Sequence, residues 1–170
     1  MFAEKSGSTD LIYHTTELND HTPCWQKPYT IPLSMRDAVE SELNSMLQAR
    51  ILQYDPGTKY NSPLIIVRKK NNEIRLVNNY IELNKKTTTD KYPMANANKL
   101  LSRAAGSKYI TILDLFHYFW QIPLTPESRK YTGFHTPFGS YSYVMTQMGL
   151  SGAPMTAQRL IDRVLKGAHK

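Results

Sequence analysis

The feature that most constrains the fold is a pair of short apolar segments separated by a polar turn. Residues 64–67 are four aliphatic residues in a row, and residues 74–77 alternate between apolar and polar side chains. β-Branched residues and a period of two are typical of strands. The Asn71-Asn72 pair between the segments is typical of a tight turn. We therefore predict a β-hairpin over residues 64–77.

The tip of this hairpin is basic, because three consecutive cations follow its first strand: Arg68, Lys69 and Lys70. Such a tip suits an anion held above it, and it serves equally well to solubilise an exposed hairpin end. The whole chain has 21 Lys and Arg against 14 Asp and Glu, a net charge of +7. This excess favours a polyanionic partner, most commonly nucleic acid, although many soluble domains are mildly basic without binding one.

Three segments have the periodicity of helices. The first begins at Ser34, a good N-cap, and its apolar residues recur at helical spacing: Val39, Leu43, Met46 and Leu47. The second covers residues 95–103 and closes near Gly106. The third has Pro154 in its first turn and Gly167 as its cap. Its apolar stripe consists of Leu160, Ile161, Val164 and Leu165.

Two further β features complete the pattern. Residues 109–113 predict a buried strand, and Asp114 follows at its carboxyl end. Residues 131–136 and 140–145 flank a Pro-Phe-Gly turn and predict a second hairpin. Helices and antiparallel hairpins interleave without repeated βαβ units, so the predicted fold class is α+β.

Several classes of protein are excluded by composition. No stretch reaches the 18 apolar residues that a membrane span needs, and residues 1–10 lack the apolar core of a secretory signal. Cys24 is the single cysteine, which excludes an internal disulfide and a multi-cysteine zinc site. We therefore expect an intracellular protein without a membrane partner. Residues 1–22 are polar and aperiodic, and we expect them to be a poorly ordered lead-in.

Asp114 is the sharpest candidate for chemistry. An acidic residue that ends an apolar strand is exposed at the edge of a sheet, where a divalent cation can use it. Strand-terminal aspartates also often only cap the next turn. The position of Asp114 alone does not decide between these interpretations.

A series of ordered blocks resembles the reverse transcriptases of Gypsy-type retrotransposons. NSPLIIVRKK at 61–70, IRLV at 74–77 and LNK at 83–85 are similar to the fingers segment of that family. DKYP at 90–93 resembles its link into the palm. LDL at 113–115 and QIPL at 121–124 resemble its first palm motif. KYTGF at 130–134, PFG at 137–139 and GLSGAP at 149–154 follow in the family's order, so that the similarity extends over residues 21–167.

The resemblance implies an RNA-directed DNA polymerase, a nucleotidyltransferase that uses two divalent cations. It implies that Asp114 is catalytic and binds Mg²⁺ or Mn²⁺ together with the backbone carbonyl of Leu115. Other positions would bind the incoming nucleotide. Lys69 or Lys70 and Arg75 would hold its triphosphate, and Phe119 would be an aromatic gate against a ribose 2′-hydroxyl. Met148 and Gly149 would line the same pocket.

The resemblance also implies a domain organisation. Residues 23–92 would be a fingers segment, and residues 93–170 the first part of the palm with interleaved fingers elements, in a right-hand polymerase fold. The family's next strand supplies further metal carboxylates in a Tyr-x-Asp-Asp motif, and the chain ends before such a motif. We therefore expect this fragment to be inactive alone. The implied partners are an RNA or DNA template-primer, a dNTP and the remainder of a Pol polyprotein: palm, thumb and RNase H. Its location would be the cytoplasm or a virus-like particle.

Some positions depart from the family's pattern. Asn79 and Ile81 stand where the family usually has Asp and Arg, and Met148 where it has Phe or Gln. Tyr118 replaces a small residue beneath the nucleotide sugar, where its ring would crowd the pocket, and Ala157 replaces a Phe. Two other interpretations therefore stay open: a nucleic-acid-binding module without catalysis, and the product of a decayed transposon.

Overall fold

The computed structural model describes residues 7–70, 73–88, 90–94 and 96–166. Its helices are α1 (Arg36–Gln48), α2 (Ile81–Lys85), α3 (Ala97–Ala104), α4 (Pro126–Arg129) and α5 (Ala153–Val164). Its strands are β1 (Leu52–Tyr54), β2 (Leu64–Arg68), β3 (Ile74–Asn78), β4 (Phe134–Thr136) and β5 (Gly139–Tyr143). Short 3₁₀ turns cover Leu33–Met35, Tyr118–Gln121 and Lys130–Thr132. Helices and antiparallel strands interleave in this order, which confirms the α+β class.

The two predicted hairpins form. β2 and β3 pair antiparallel from Leu64 opposite Asn78 to Arg68 opposite Ile74. The turn residues Asn71 and Asn72 lie outside the described residues. β4 and β5 form the second hairpin, and β1 adds to the free edge of β5 to give a three-stranded sheet in the order β1-β5-β4. β1 was not predicted, because three residues are too few to establish a period.

The core lies between α1, α2 and the two sheets. Val39, Leu43 and Met46 of α1 are buried, as their spacing predicts. They share one cluster with Tyr143 of β5 and Leu83 of α2. The helix begins later than predicted: Ser34 lies in the preceding 3₁₀ turn, and Met35 is the N-cap without a side-chain hydrogen bond. The serine therefore does not cap α1.

Residues 109–113 do not form the predicted strand. They lie outside any sheet, and the side chains of Ile112 and Leu113 are 88% and 74% exposed. A strand obtains its backbone hydrogen bonds from a neighbour, and no described strand lies beside this segment. Its β-branched residues favour an extended backbone but cannot supply that partner.

The described part of the expected lead-in, residues 7–22, packs against the body of the protein instead. His14 is 1% exposed and forms a parallel bridge with Leu124. Leu18 is paired with Thr87, the residue that follows α2 and its C-cap. The segment contributes both apolar side chains and backbone hydrogen bonds to the fold. We call residues 7–26, which include this segment, the N-terminal strap.

The remaining helices follow their sequence signals with shifted bounds. α3 begins after Asn96, whose side chain accepts the N–H of Asn98 at 2.9 Å. Gly106 then takes a positive φ of 97° at the end of this unit. In α5 the first half of the apolar face is buried, whereas Val164 and Leu165 are exposed, and Gly167 lies outside the described residues. No described helix has the length and apolar character that crossing a membrane requires.

Candidate active site

A cavity of about 410 Å³ lies between β3 and the segment that follows Asp114. It brings together six of the residues expected at a nucleotide site: Lys69, Arg75, Asp114, Leu115, Phe119 and Met148. Two others do not line it. Lys70 is exposed next to Lys69 and is not among the residues that line the cavity. Gly149 adjoins Met148 with a φ of 92°, a value that favours glycine.

The cationic side of the cavity belongs to the β2–β3 hairpin. Lys69 Nζ lies 3.0 Å from Glu73 Oε2, and both side chains are largely exposed. Exposed ion pairs are weak, so the contact with Glu73 leaves Lys69 able to bind another anion. Arg75 Nη2 donates to Met148 Sδ at 3.3 Å, a weak acceptor that a phosphate oxygen would replace. The two cations therefore form a ready surface for an anion.

Asp114 and Leu115 also line the cavity. Asp114 is exposed, which leaves its carboxylate accessible from the cavity. Glu42 of α1 reaches the same cavity, and burial raises the pKa of its carboxyl while Lys69 lowers it. Among the described residues, no three His, Cys, Asp or Glu side chains cluster tightly enough to hold a metal ion. The donor set therefore does not fit a complete two-cation centre.

Aromatic rings form the floor of the cavity. His117 has a left-handed φ of 46°, and its ring stacks on Trp120 with centroids 4.4 Å apart and planes at 4°. Burial, and then the charges of Lys69 and Arg75, lower the pKa of His117. The ring is therefore neutral near pH 7. The sequence interpretation missed this stack, and a His-x-x-Trp spacing within one 3₁₀ turn was its only local signal.

Tyr118 and Phe119 anchor this floor to the rest of the protein. Phe119 packs against both apolar clusters of the core, so its ring is held firmly at the base of the cavity. Tyr118 Oη donates to the carbonyl of Ala157 at 2.6 Å, and burial raises the pKa of this phenol to about 12. Its ring packs on α5 beside the small Ala157 side chain. Tyr118 therefore both contacts α5 and lines the cavity.

Two side chains that can be reactive in other proteins, His135 and Cys24, pack within the fold away from the cavity. His135 Nδ1 bonds with Ser140 Oγ at 2.6 Å, and its ring contacts Trp25 with centroids 4.7 Å apart. Cys24 is buried, and burial raises the pKa of its thiol. Neither residue lines the cavity.

Comparisons with known proteins agree on the family. Residues 67–170 match the model "Reverse transcriptase (RNA-dependent DNA polymerase)". The chain is 32% identical over 168 residues to the retrovirus-related Pol polyprotein from transposon 297 of Drosophila melanogaster, which covers 96% of the chain and 16% of the polyprotein. It is 33% identical to the corresponding polyprotein from transposon 412 of the same organism, over 93% of the chain and 13% of the polyprotein.

Solved structures agree with these relatives. The protease–reverse transcriptase of prototype foamy virus (CSH mutant) superposes with a TM-score of 0.86 at 26% identity, over 96% of this chain and 22% of that one. A foamy viral protease–reverse transcriptase in complex with RNA/DNA hybrid gives a TM-score of 0.81 at 18% identity, over 97% and 22% of the two chains. This second likeness bears on the fold alone. The chain thus spans less than a quarter of each relative described, and it belongs to the reverse transcriptase (RNA-dependent DNA polymerase) family.

Proposed function

We propose that this chain is the fingers and first palm portion of an RNA-directed DNA polymerase, and that its cavity binds the incoming deoxynucleoside triphosphate. The observation that supports this most directly is the common cavity of Lys69, Arg75 and Asp114. Its volume, about 410 Å³, falls within the range of small-molecule sites. The bounds of the two portions, residues 23–92 and 93–170, remain part of the proposal.

The proposed binding follows from the chemistry of the two cations. Arg75 has a planar fork of donors that matches two phosphate oxygens, and Lys69 adds a point charge on a flexible stem. Lys70 is exposed and does not line the cavity, and we propose that it contacts the nucleic-acid backbone. Phe119, which packs against the core, would be the aromatic gate against a ribose 2′-hydroxyl, and Met148 with the adjoining Gly149 would help to form the nucleotide pocket.

The reverse transcriptase family is generally dependent on divalent metals. Asp114 and the Leu115 carbonyl are the proposed share of this chain in binding Mg²⁺ or Mn²⁺. Because the described residues do not complete a two-cation donor set, we assign no catalytic step to this chain alone. The proposed partners are a template-primer of RNA or DNA and the remainder of a Pol polyprotein, in the cytoplasm or a virus-like particle.

Replacing Arg75 with alanine should weaken binding of a fluorescent deoxyadenosine triphosphate, in the presence of Mg²⁺, by about tenfold to a hundredfold. This estimate corresponds to the loss of hydrogen bonds to a charged group, about 1.5–3 kcal/mol. Arg68→Ala is the matched control, because Arg68 is exposed on the same hairpin and does not line the cavity. Equal affinities for the Arg75→Ala variant and the parent chain would contradict the proposed triphosphate site.

The 170-residue chain should not extend a primer in the presence of Mg²⁺ or Mn²⁺. The printed sequence contains only Glu127 and Asp162 as acidic residues after Asp114, and neither lies in an Asp-Asp pair. Loss of several kcal/mol of metal stabilisation lowers the rate by at least about a thousandfold. A primer-extension assay checks this, and extension that Asp114→Asn abolishes would prove the expectation wrong.

A binding module without catalysis is the second candidate, favoured by the net charge of +7. It predicts sequence-independent binding to single strands with a dissociation constant of about 10⁻⁴–10⁻⁶ M that weakens steeply with salt. Nucleic-acid binding of this kind without any triphosphate affinity would favour the second candidate over the first.

A further inference from the structure

The loop that leads into α5 is held by one side chain from α2. Asn84 Nδ2 donates to the carbonyl oxygen of Gly149 at 2.7 Å. Asn84 Oδ1 accepts the backbone N–H of Ser151 at 2.9 Å. A planar amide offers a donor and an acceptor at a fixed separation. The two hydrogen bonds therefore hold the backbone of residues 149–151 in one position and orientation relative to α2.

The backbone of this loop requires such support. Gly149 has a φ of 92°, in the left-handed region that favours glycine, and a Cβ at this position would make only an ordinary van der Waals contact with the Tyr80 ring at 3.8 Å. Leu150 is 3% exposed and anchors the middle of the loop in the core. The Gly149 carbonyl and the Ser151 N–H, on either side of Leu150, are the two backbone groups that Asn84 binds. Without Asn84 they would be left to solvent.

The same loop adjoins the cavity through Met148, and we call residues 148–151 the rim. Met148 precedes Gly149 and lines the cavity, where Arg75 contacts its sulfur. Arg75 belongs to β3, and β3 runs through Asn79 and Tyr80 directly into α2. The rim is thus tied to the hairpin through Met148 and to the following helix through Asn84.

We propose that Asn84 is the positioning residue for the Met148–Ser151 rim and thereby sets the affinity of the cavity for a nucleoside triphosphate. This inference rests on the proposed function. Asn84 itself does not line the cavity and would not touch the nucleotide. The position requires a neutral group that donates to one backbone atom and accepts from another, and Asn meets both requirements.

The first test compares Asn84→Ala with Thr87→Ala. Thr87 Oγ1 donates to the Leu83 carbonyl at 2.9 Å, so its loss perturbs the end of α2 without touching the rim. We expect Asn84→Ala to speed hydrogen exchange of the Ser151 amide and to weaken binding of a fluorescent deoxyadenosine triphosphate with Mg²⁺ by about fivefold to tenfold, the equivalent of one net hydrogen bond. Thr87→Ala should change neither quantity beyond its effect on overall stability.

The second test uses Asn84→Asp as a pH-dependent variant. At pH 7 its carboxylate still accepts from Ser151 N–H, but it repels the Gly149 carbonyl oxygen. Protonation restores a donor toward Gly149. The affinity of Asn84→Asp, divided by that of the parent chain at the same pH, should therefore rise as the pH falls from 7 toward 4, because an aspartyl carboxyl ordinarily protonates near pH 4. The non-titrating Asn84→Ala variant should not show this response.

Two results would overturn the inference: parent-like exchange and affinity in Asn84→Ala, or an equal loss of affinity in Thr87→Ala. If the parent chain binds no triphosphate, the proposed function and the effect on affinity both fail. In that case, hydrogen exchange of the Ser151 amide in Asn84→Ala and in the parent chain still shows whether Asn84 holds the rim. The two failures are therefore distinguishable.

Discussion

Replacing Asn61 with alanine should lower the free energy of unfolding by about 2–5 kcal/mol, the cost of leaving two partly buried backbone groups unpaired. Asn61 is fully buried. Its Nδ2 donates to the Gln26 carbonyl, and its Oδ1 accepts the N–H of His135 at 2.8 Å. Its own backbone N–H donates to Cys24 at 2.8 Å. One side chain therefore joins the end of the N-terminal strap to β4, and alanine can satisfy neither partner.

Urea unfolding of the variant measures this effect. Asn44→Ala is the matched control, because Asn44 is exposed on α1 and its replacement should change stability by less than about 0.5 kcal/mol. Asn61→Ala should lower the unfolding midpoint without a large change in slope. If the two variants unfold at the same urea concentration, then the Asn61 hydrogen bonds do not contribute to the stability of the fold.

The elements that could be predicted from the sequence are those with a local signal. The β2–β3 hairpin has β-branched strands and a turn pair, and α1 and α5 have three or more apolar residues at helical spacing. Each such signal is contained within a dozen or so residues. Tertiary contacts then shift only the bounds, as at Ser34, which lies in a 3₁₀ turn before α1.

The elements that could not be predicted depend on distant partners. β1 pairs with β5, where Leu52 stands opposite Tyr143. Residues 109–113 have a strong β signal and no described strand beside them. The N-terminal strap has no periodicity, yet it packs because single residues such as His14 find buried sites across the fold. Contacts between residues that are far apart in the sequence cannot be predicted from composition or periodicity.

The candidate site shows the same division. Asp114, Lys69 and Arg75 were identified from ordered motifs, and they share one cavity. Asn84 lies within one of the motifs, but its role is visible only when the loop after Met148 is placed beside it. A sequence motif identifies residues that act together, whereas the direction of a side chain follows from packing.

Acid should release the N-terminal strap, because His14 is buried in its neutral form. His14 is 1% exposed, its Nδ1 bonds with Thr156 Oγ1 at 2.9 Å, and burial lowers its pKa to about 4 although the nearby Asp90 carboxylate raises it. Between pH 6.5 and pH 4 the unfolded chain therefore binds a proton that the folded chain does not. Folding stability falls as the pH is lowered through this window, and it is retained above pH 6.5.

The expected loss from this residue is about 3 kcal/mol between pH 7 and pH 4, at 1.36 kcal/mol for each pKa unit. His14 lines a small polar pocket that is separate from the candidate active site, and the charged residues that line it too are Glu17 and the ion-paired Asp90 and Arg159. His14→Gln cannot titrate, so its urea midpoint should fall much less over this range than that of the parent chain. His21→Gln, at an exposed position of the same strap, should fall as the parent does. If the urea midpoints of His14→Gln and the parent chain fall equally between pH 7 and pH 4, then carboxylates and not His14 govern acid unfolding. The comparison is direct because the variant removes only the imidazole.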